Sequence, residues 1–340
     1  MLRRFMFGCA FVVFAMRPGM VEAQVSSPIL DAIKSRGVLL CGTAPNISGF
    51  AAVDEKGQWS GLYVDVCRAV AVAILGDANK VRYISTTTQN RLPMLQAGEI
   101  DILVSNTTWT LTREASLGLE FTGVTFYDGQ GFLVKKANNI KSAKELEGAT
   151  ICVQPGTTTE LNLADYFRRN NLKFTPLVID NLEGVRSAIL SSRCDAYTIG
   201  TAALAAFRIG LGAKADDYEI LPDIISKEPL GPVIRKGDQK YFDIVKWVGF
   251  AMLIAEELNL DSKSIGKAAT SEDPDVQRFT GKTGDFGSML GLKNDWAAQI
   301  VLQVGSYSES WDRNVAALKL PRNLNRLWSD GGIQYPAPIR

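Results

Sequence analysis

The stretch SNTTWTLTREASLG, Ser105 to Gly118, directly follows Asp101–Val104, an apolar run that predicts a buried strand. In open α/β sheets, ligands bind beyond the carboxyl ends of the strands. The hydroxyl and backbone N–H groups of this stretch suit a small anion, and the forked donors of Arg113 suit a carboxylate. Ordinary packing of Trp109 and a surface ion pair of Arg113 are the alternative interpretation.

Apolar runs that predict strands alternate with helical patterns on both sides of this stretch. This alternation indicates an α/β fold with mostly parallel sheets. The segments MLQAGEIDILVSNTT and AILSSRCDAYTIGT share one order, namely a helix, an acidic residue, an apolar strand and small polar residues. They predict two similarly built lobes in which residues 106–108 and 199–201 occupy equivalent positions.

The first 23 residues have the features of a secretory signal peptide. Arg3 and Arg4 precede the apolar run Phe5–Met16, and Val21–Ala23 fits a cleavage site with small residues. The apolar run is too short for a stable transmembrane helix, which is the alternative interpretation. We therefore expect an exported, periplasmic protein.

Composition narrows the classes of function. Without residues 1–23 the chain carries 34 basic residues (37 less three arginines) and 35 acidic residues (36 less Glu22), so its net charge is −1. No long block of one charge remains, which argues against nucleic acid or an anionic membrane as the main partner. The chain has no histidine, no Walker loop and no dinucleotide fingerprint, which favours binding over catalysis and predicts no cofactor.

Four cysteines remain after export, and an even number in an oxidising compartment predicts disulfides. Their positions favour pairing by neighbourhood, Cys41 with Cys67 and Cys152 with Cys194, so that each bridge lies within one lobe. A structural zinc site is the alternative. The chain has neither a CxxC pair nor a histidine, so we expect no metal.

A second candidate for anion binding is QPGTTTELNLADYF, residues 154–167, where a strand leads into Pro155–Gly156 and a helix begins near Thr158. Unpaired N–H groups at the start of a helix bind anions. A capping box of Thr157 and Glu160 is the alternative. Both roles are compatible, because capping satisfies only some of these N–H groups.

Longer motifs follow one another along nearly the whole mature chain. They include GQWSGLYVD at 57–65, LQAGEID at 95–101, NTTWTLTRE at 106–114 and GTTTE at 156–160. These motifs resemble the extracytoplasmic solute-binding proteins of the polar amino-acid uptake family, the binding components of ABC importers. The stretches EFTG, YDGQGF, ILPDIISKEPLGPVIRKGD and LKLPRNLNRLWSDGGIQY are most similar to its general L-amino-acid binding subfamily.

The resemblance implies an α/β clamshell of the type II periplasmic-binding-protein fold, with two mixed sheets flanked by helices and two crossing strands as the hinge. The candidate crossings are Gly129–Val134 and Glu228–Ile234. Residues 24–131 would form the first part of lobe 1 and residues 132–230 lobe 2. Residues 231–340 would complete lobe 1 and add a C-terminal helical extension.

The resemblance also places a ligand between the lobes. It implies that Arg113 holds the α-carboxylate of the ligand bidentately. Thr108 from one lobe, and Thr158 with Thr157 from the other, would add hydroxyl or backbone donors. Asn106 would contact the amino group of the ligand.

Further ligand contacts follow from two other stretches. TTQNR at 87–91 is similar to binders of acidic amino acids, in which the matching arginine contacts the side-chain carboxylate. Arg91, with Thr88, is therefore expected at the distal end of the ligand, and a helix-surface arginine is the alternative. An aromatic wall over the ligand would come from Trp109 or Phe50.

Gly200 is the main departure from the family pattern, because relatives carry an aspartate there that pairs with the ammonium group of the ligand. A buried ammonium without a carboxylate is costly. Either another acid serves, or the ligand presents no free ammonium at this place. We also expect the glycine to leave space for a larger ligand, such as a small peptide or a γ-glutamyl compound. Gly200→Asp would then strengthen binding of free amino acids.

Together these features predict a monomeric binding protein that delivers an amino acid or a related carboxylate to an ABC permease and its ATPase in the inner membrane. Two other functions use the same fold. A dehydratase would need a positioned acid in the cleft, which Gly200 argues against. A ligand-sensing partner of a receptor would use the same lobe faces and is not distinguished from a transport protein by sequence.

Overall fold

The computed structural model describes residues 26–340, so the predicted signal peptide lies outside the described residues. The strands in this range are β1 (Leu39–Thr43), β2 (Asn46–Ile47), β3 (Ala51–Val53), β4 (Trp59–Ser60), β5 (Val81–Ser85), β6 (Ile102–Leu103), β7 (Leu119–Phe121), β8 (Phe126–Asp128), β9 (Gln130–Lys135), β10 (Thr150–Val153), β11 (Thr175–Val178), β12 (Ala196–Gly200), β13 (Tyr218–Ile220), β14 (Glu228–Leu230) and β15 (Val233–Arg235).

Helices lie between these strands and follow the last of them. The α-helices are α1 (Pro28–Arg36), α2 (Leu62–Leu75), α3 (Arg91–Ala97), α4 (Leu111–Ser116), α5 (Thr158–Arg169), α6 (Leu182–Leu190), α7 (Thr201–Ile209), α8 (Gln239–Glu257), α9 (Ile265–Ala268), α10 (Pro274–Phe279), α11 (Phe286–Met289), α12 (Trp296–Gln303) and α13 (Tyr307–Asn314). In residues 26–340, no helix is both long and apolar enough to span a bilayer.

Two five-stranded sheets share one plan. The strand order is β5-β1-β6-β15-β7 in lobe 1 and β11-β10-β12-β9-β13 in lobe 2. In each sheet the first three strands are parallel and the fourth runs antiparallel to its neighbours. β6 and β12 therefore occupy equivalent positions, as the internal repeat predicts. Residues that follow β6 and residues at the end of β12 line one cavity.

Two short strands connect the lobes. β8 leads from lobe 1 into β9 of lobe 2, and β14 leads back towards β15 of lobe 1. β8 and β14 pair in an antiparallel ladder in which Asp128 lies directly opposite Glu228. The predicted two-lobe α/β fold with crossing strands is confirmed. The first crossing lies before the predicted segment Gly129–Val134, because β9 already belongs to the sheet of lobe 2.

The C-terminal extension is fixed to lobe 1 by a buried carboxylate. Asp65 lies on α2 and accepts hydrogen bonds from Ser310 Oγ at 2.6 Å, Arg313 Nη2 at 2.6 Å and Asn314 Nδ2 at 2.8 Å. These three donors lie on α13 or at its end. Since a buried carboxylate is stable only when its oxygens are paired, the acid of the GQWSGLYVD motif has a structural role.

Both predicted disulfides are present. Cys41 of β1 is bonded to Cys67 of α2 with their Cα atoms 6.3 Å apart, and Cys152 of β10 is bonded to Cys194 with a Cα separation of 5.7 Å. Each bridge lies within one lobe and attaches a central strand to a neighbouring element. Neither bridge crosses the hinge, so the lobes remain free to move relative to each other.

We expect the double variant Cys152→Ala, Cys194→Ala to lower the free energy of unfolding by about 3–4 kcal/mol, because a 42-residue loop is no longer closed in the unfolded chain. Urea unfolding at pH 7 measures the difference, and the pair Cys41→Ala, Cys67→Ala is the matched control with a 26-residue loop. Free thiols in the oxidised mature protein, found by peptide mapping, would contradict the pairing.

Candidate ligand cleft

A cavity of about 230 Å³ lies between the two lobes. Its walls are the loops after β1, β5 and β6 of lobe 1, the hinge strands β8 and β14, and the segments after β10 and β12 of lobe 2. The predicted contact residues that line it are Thr88, Arg91, Asn106, Thr108, Thr157, Thr158 and Gly200.

The lobe 1 wall carries a buried cation. Arg91 begins α3, is only 4% exposed, and donates from Nη1 to the Asn106 carbonyl oxygen at 2.7 Å. Burial, with a smaller contribution from the charge of Arg113, lowers the pKa of Arg91 to about 9, and the nearby Glu228 carboxylate partly opposes this shift. Within residues 26–340, Arg91 forms no ion pair.

Several polar atoms beside Arg91 have no hydrogen-bond partner in the described part of the chain. They are Nε of Arg91, Oγ1 of Thr88, and both amide atoms of the Asn106 side chain. Buried donors without acceptors are costly, so folded proteins rarely keep them. A bound group with acceptor oxygens would satisfy the donors Nε of Arg91 and Nδ2 of Asn106, whereas Oδ1 of Asn106 is an acceptor and needs a donor from the ligand. A ligand-binding wall is expected to have such unpaired groups.

Glu228 of β14 bridges the lobes. Its carboxylate accepts hydrogen bonds from Thr108 Oγ1 of lobe 1 at 2.9 Å and from Thr158 Oγ1 of lobe 2 at 3.1 Å. Asn162 Nδ2 at 3.1 Å and Ser226 Oγ at 3.2 Å are further donors. The hydroxyl oxygens of Thr108 and Thr158 are themselves 3.2 Å apart. The structure therefore represents a closed cleft in which an internal carboxylate holds the facing threonines.

Arg113 lies behind the threonine wall. It is 7% exposed and donates from Nη1 to the Thr108 carbonyl oxygen at 2.7 Å. Burial lowers its pKa, and the charge of Glu228 opposes that shift. Arg113 does not line the cavity, so its charge acts through Thr108 and Glu228 in the closed cleft.

Thr157 has the capping role that was the alternative for it. Its hydroxyl accepts from the Glu160 N–H at 3.1 Å at the start of α5 and donates to the Gln154 carbonyl at 2.8 Å. Glu160 does not complete a capping box, because its carboxylate accepts from the Gly156 N–H instead of the Thr157 N–H. Thr157 and Thr158 still line the cavity, so capping leaves this helix start accessible to a ligand.

Neither Trp109 nor Phe50, the predicted aromatic wall, is among the residues that line the cavity, whereas Phe207 is. Trp109 stacks on Phe121 with the ring centroids 5.6 Å apart, and its indole N–H donates to Glu114 at 2.8 Å. Phe50 is fully buried and packs on Tyr63 and Phe126. Both rings are engaged within lobe 1, and the sequence could not distinguish this packing from a stacking role.

The space next to Gly200 is filled, contrary to expectation. A Cβ atom at Gly200 would lie 2.5 Å from Oδ2 of Asp128, so the side chain of Asp128 occupies the place of the missing aspartate. Gly200→Asp would force two carboxylates together and would not simply restore an acid. The alternative that another acid serves is the one that the geometry supports. It also removes the argument from Gly200 against a dehydratase.

Asp128 is held by the start of α7. Its Oδ1 accepts from Thr201 Oγ1 at 2.6 Å and from the Gly129 N–H at 2.8 Å, and both oxygens lie 3.3–3.4 Å from the Ala202 N–H. Burial raises its pKa to about 6. The three hydrogen bonds lower the pKa, and the negative charge of Glu228 raises it further.

Sequence reasoning missed the two hinge acids that line the cleft, Asp128 and Glu228. Asp128 belongs to YDGQGF and Glu228 to the ISKEPLG segment, so each acid comes immediately before or at a predicted crossing of the hinge. An acid at each crossing is the signal that was available. The two acids indicate a shared site only once β8 and β14 are known to pair, because directly opposite residues of an antiparallel pair project to the same side.

The comparisons with known proteins agree with this geometry. Residues 39–259 match bacterial extracellular solute-binding proteins, family 3. The chain belongs to this family. The predicted family is thereby confirmed, and so is the similarity to its general L-amino-acid binders. The general L-amino acid-binding periplasmic protein AapJ of Rhizobium johnstonii is 49% identical over 323 residues, which cover 94% of each chain.

Other relatives differ in the ligands that their names state. The glutamate/glutamine/aspartate/asparagine-binding protein BztA of Rhodobacter capsulatus is 45% identical, and the match covers 94% of this chain and 96% of BztA. A periplasmic binding protein from Brucella ovis, solved with glutathione bound, is 45% identical with a TM-score of 0.89, and the match covers 92% of this chain and 99% of that chain. These relatives are binding proteins, which supports binding over catalysis.

The titration of Asp128 gives a stability prediction. Because its pKa in the folded protein lies above the ordinary value of 3.8, ligand-free wild type loses stability as the pH rises from 3.8 to about 6. Asp128→Asn removes this penalty, so its gain in unfolding free energy should grow over that window and stay constant above it. We expect a gain of about 1–2 kcal/mol. Urea unfolding at four pH values tests this, and a variant less stable than wild type at pH 7 would contradict it.

Proposed function

We propose that this chain is the periplasmic solute-binding component of an ABC importer and that it binds an L-amino acid, preferably an acidic one, between its lobes. One observation carries the proposal. One cavity is lined by the buried Arg91, whose Nε has no hydrogen-bond partner in the described residues, and by Asp128, which forms no ion pair within residues 26–340. A zwitterion satisfies both sides at once.

The carboxylates of the ligand would use the donors of lobe 1. The family resemblance assigns the α-carboxylate to Arg113, Thr108 and Thr158. In the ligand-free cleft the two threonines donate to Glu228. A ligand carboxylate would therefore compete with that internal carboxylate for the same hydroxyls. The second carboxylate of an acidic amino acid would lie against Arg91, whose charge is buried without an ion pair.

The named ligands of the relatives support two related classes. AapJ and BztA are named for amino acids, and the Brucella ovis protein holds glutathione. A γ-glutamyl compound carries a free ammonium and an α-carboxylate at its glutamyl end, so it presents the same charges as an amino acid. A free amino acid is our proposal, because Asp128 takes up the space that Gly200 was expected to leave for a larger ligand.

Delivery to a membrane partner is part of the proposal. AapJ is named as a periplasmic protein, and the predicted signal peptide would bring this chain to the same compartment. We propose a monomer that presents its closed lobes to an ABC permease, whose ATPase drives uptake. Both lobes would then contribute to the docking surface, so the permease would distinguish the closed form from the open one.

Substitutions of Arg113 and Arg91 should lower ligand affinity in different ways. We expect Arg113→Ala to weaken the binding of all L-amino acids by about 2–5 kcal/mol, because the desolvated carboxylate of the ligand loses its charged partner. Arg113→Lys should also be weak, since an ammonium does not reproduce the guanidinium fork. Arg91→Ala should weaken the binding of glutamate far more than the binding of alanine. Isothermal titration calorimetry with a panel of free amino acids and glutathione measures these constants.

Arg82→Ala is the matched control, because Arg82 is an exposed arginine on β5 of the same lobe. It should bind the panel like wild type. Normal binding of amino acids by Arg113→Ala would show that the carboxylate assignment is wrong. Tight binding of glutathione with no binding of free amino acids would replace our ligand class with the γ-glutamyl compounds.

Ligand binding should also change the shape of the protein. A ligand that contacts both lobes favours the closed form by its differential affinity for that form. Small-angle X-ray scattering should therefore show a smaller radius of gyration after addition of a bound amino acid. The double variant Thr108→Ala, Thr158→Ala should show a weaker response, because contacts from both lobes are removed. An unchanged radius of wild type with saturating ligand would contradict a clamshell mechanism.

A further inference from the structure

Asp128 is an acid of the cleft that forms no ion pair within residues 26–340. Its carboxylate accepts only neutral donors, namely the backbone N–H groups of Gly129 and Ala202 and the hydroxyl of Thr201. The nearest charge that affects it is Glu228, which has the same sign. Like charges directly opposite on paired strands destabilise the pair. A cation at Asp128 would relieve this repulsion.

Glu228 does not require a cation from the ligand. Four side-chain donors occupy its two oxygens, and its charge stabilises the buried guanidinium groups of Arg91 and Arg113. Arg91, which lines the cavity, and Arg113, which lies behind it, therefore share one internal carboxylate. The other acid on the hinge, Asp128, is left without a positive partner while it lines the same cavity.

The position of Asp128 adds an independent observation. Its Oδ2 lies 2.5 Å from the point where a Cβ atom of residue 200 would be. The carboxylate therefore reaches the carboxyl end of β12 from the neighbouring hinge strand. Asp128 and Arg91 line the same cavity, so one ligand with an ammonium and a carboxylate can contact both.

We propose that Asp128, on the hinge strand β8, binds the ammonium group of the ligand and replaces the acid that relatives carry at the position of Gly200. This assignment rests on the proposed function. It names a specificity-determining residue, since a ligand without an ammonium group leaves Asp128 unpaired. The acid belongs to the hinge and not to lobe 2, so the ammonium site exists before the lobes close.

The competing role for Asp128 is structural. Gly200 is the N-cap of α7 and offers no side chain, so Asp128 supplies the acceptor for the Ala202 N–H and the Thr201 hydroxyl at the start of that helix. Loss of such a cap destabilises proteins by about 0.5–2 kcal/mol. A purely structural Asp128 would lower affinity for every ligand alike. An ammonium-binding Asp128 would lower affinity only for ligands that carry an ammonium.

The first experiment compares L-glutamate with glutarate, which has the same two carboxylates and no amino group. Calorimetry of wild type and Asp128→Asn gives four dissociation constants. We expect Asp128→Asn to weaken glutamate by about 10–100-fold, the range for a hydrogen bond to a charged group, and to leave glutarate unchanged or tighter. Asp195→Asn is the control, because it removes an exposed carboxylate from just before the opposite end of β12.

The second experiment moves the acid. Gly200→Asp alone should weaken glutamate, because its side chain would collide with Asp128. Asp128→Ala alone should weaken it as well. The double variant Asp128→Ala, Gly200→Asp should bind glutamate at least tenfold more tightly than Asp128→Ala, because the new carboxylate fills the vacated space. An aspartate at the N-cap also restores the cap of α7.

The outcomes distinguish a failure of the proposed function from a failure of the Asp128 assignment. Wild type that binds neither glutamate nor any other free amino acid would overturn the proposed function and this assignment with it. Wild type that binds amino acids, combined with equal losses for glutamate and glutarate in Asp128→Asn, would overturn the assignment alone. A double variant no better than Asp128→Ala would also count against it. Selective loss followed by recovery in the double variant would establish it.

Discussion

The arrangement of charged side chains in the cleft reflects the free-energy cost of burying charged groups without partners. Arg91 and Arg113 lie inside lobe 1, where burial lowers the pKa of both, and a single internal carboxylate, Glu228, offsets their charge. Asp128 is half-buried beside neutral donors and lies opposite the like charge of Glu228. Buried charges are tolerated when they are paired and costly when they are not. A zwitterionic ligand offers a charge partner to both sides of the cleft.

The hinge fixes this arrangement. β8 and β14 connect the lobes, and their antiparallel register sets Asp128 opposite Glu228. Glu228 then reaches the facing threonines of both lobes, while Asp128 reaches the end of β12. Movement of the lobes is therefore coupled to the charges of the cleft, because the same two strands bend during closure and carry the acids. The disulfides lie inside single lobes and do not restrict that motion.

The sequence predicted most of the fold and part of the site. Alternating apolar runs and the internal repeat identified two similar α/β lobes, and proximity of the cysteines in sequence identified both bridges. The convergence of Thr108 and Thr158 was implied by the family resemblance. The roles of side chains that depend on tertiary neighbours were harder to predict from the sequence. Trp109 and Gly200 carry no local sign of stacking on Phe121 or of Asp128 filling the adjacent space. Pairing of the hinge strands is a long-range contact that no local pattern encodes.

The central claim is that the hinge acid Asp128 and the arginine wall of lobe 1 bind the two ends of one zwitterion. A high-resolution crystal structure of the protein with L-glutamate tests it most directly. The account predicts the ligand nitrogen within about 3 Å of a carboxylate oxygen of Asp128, the usual hydrogen-bond distance, and its carboxylates on the side of Arg91 and Arg113. A ligand nitrogen that contacts Glu228 alone, or a ligand bound in the reverse orientation, would contradict it.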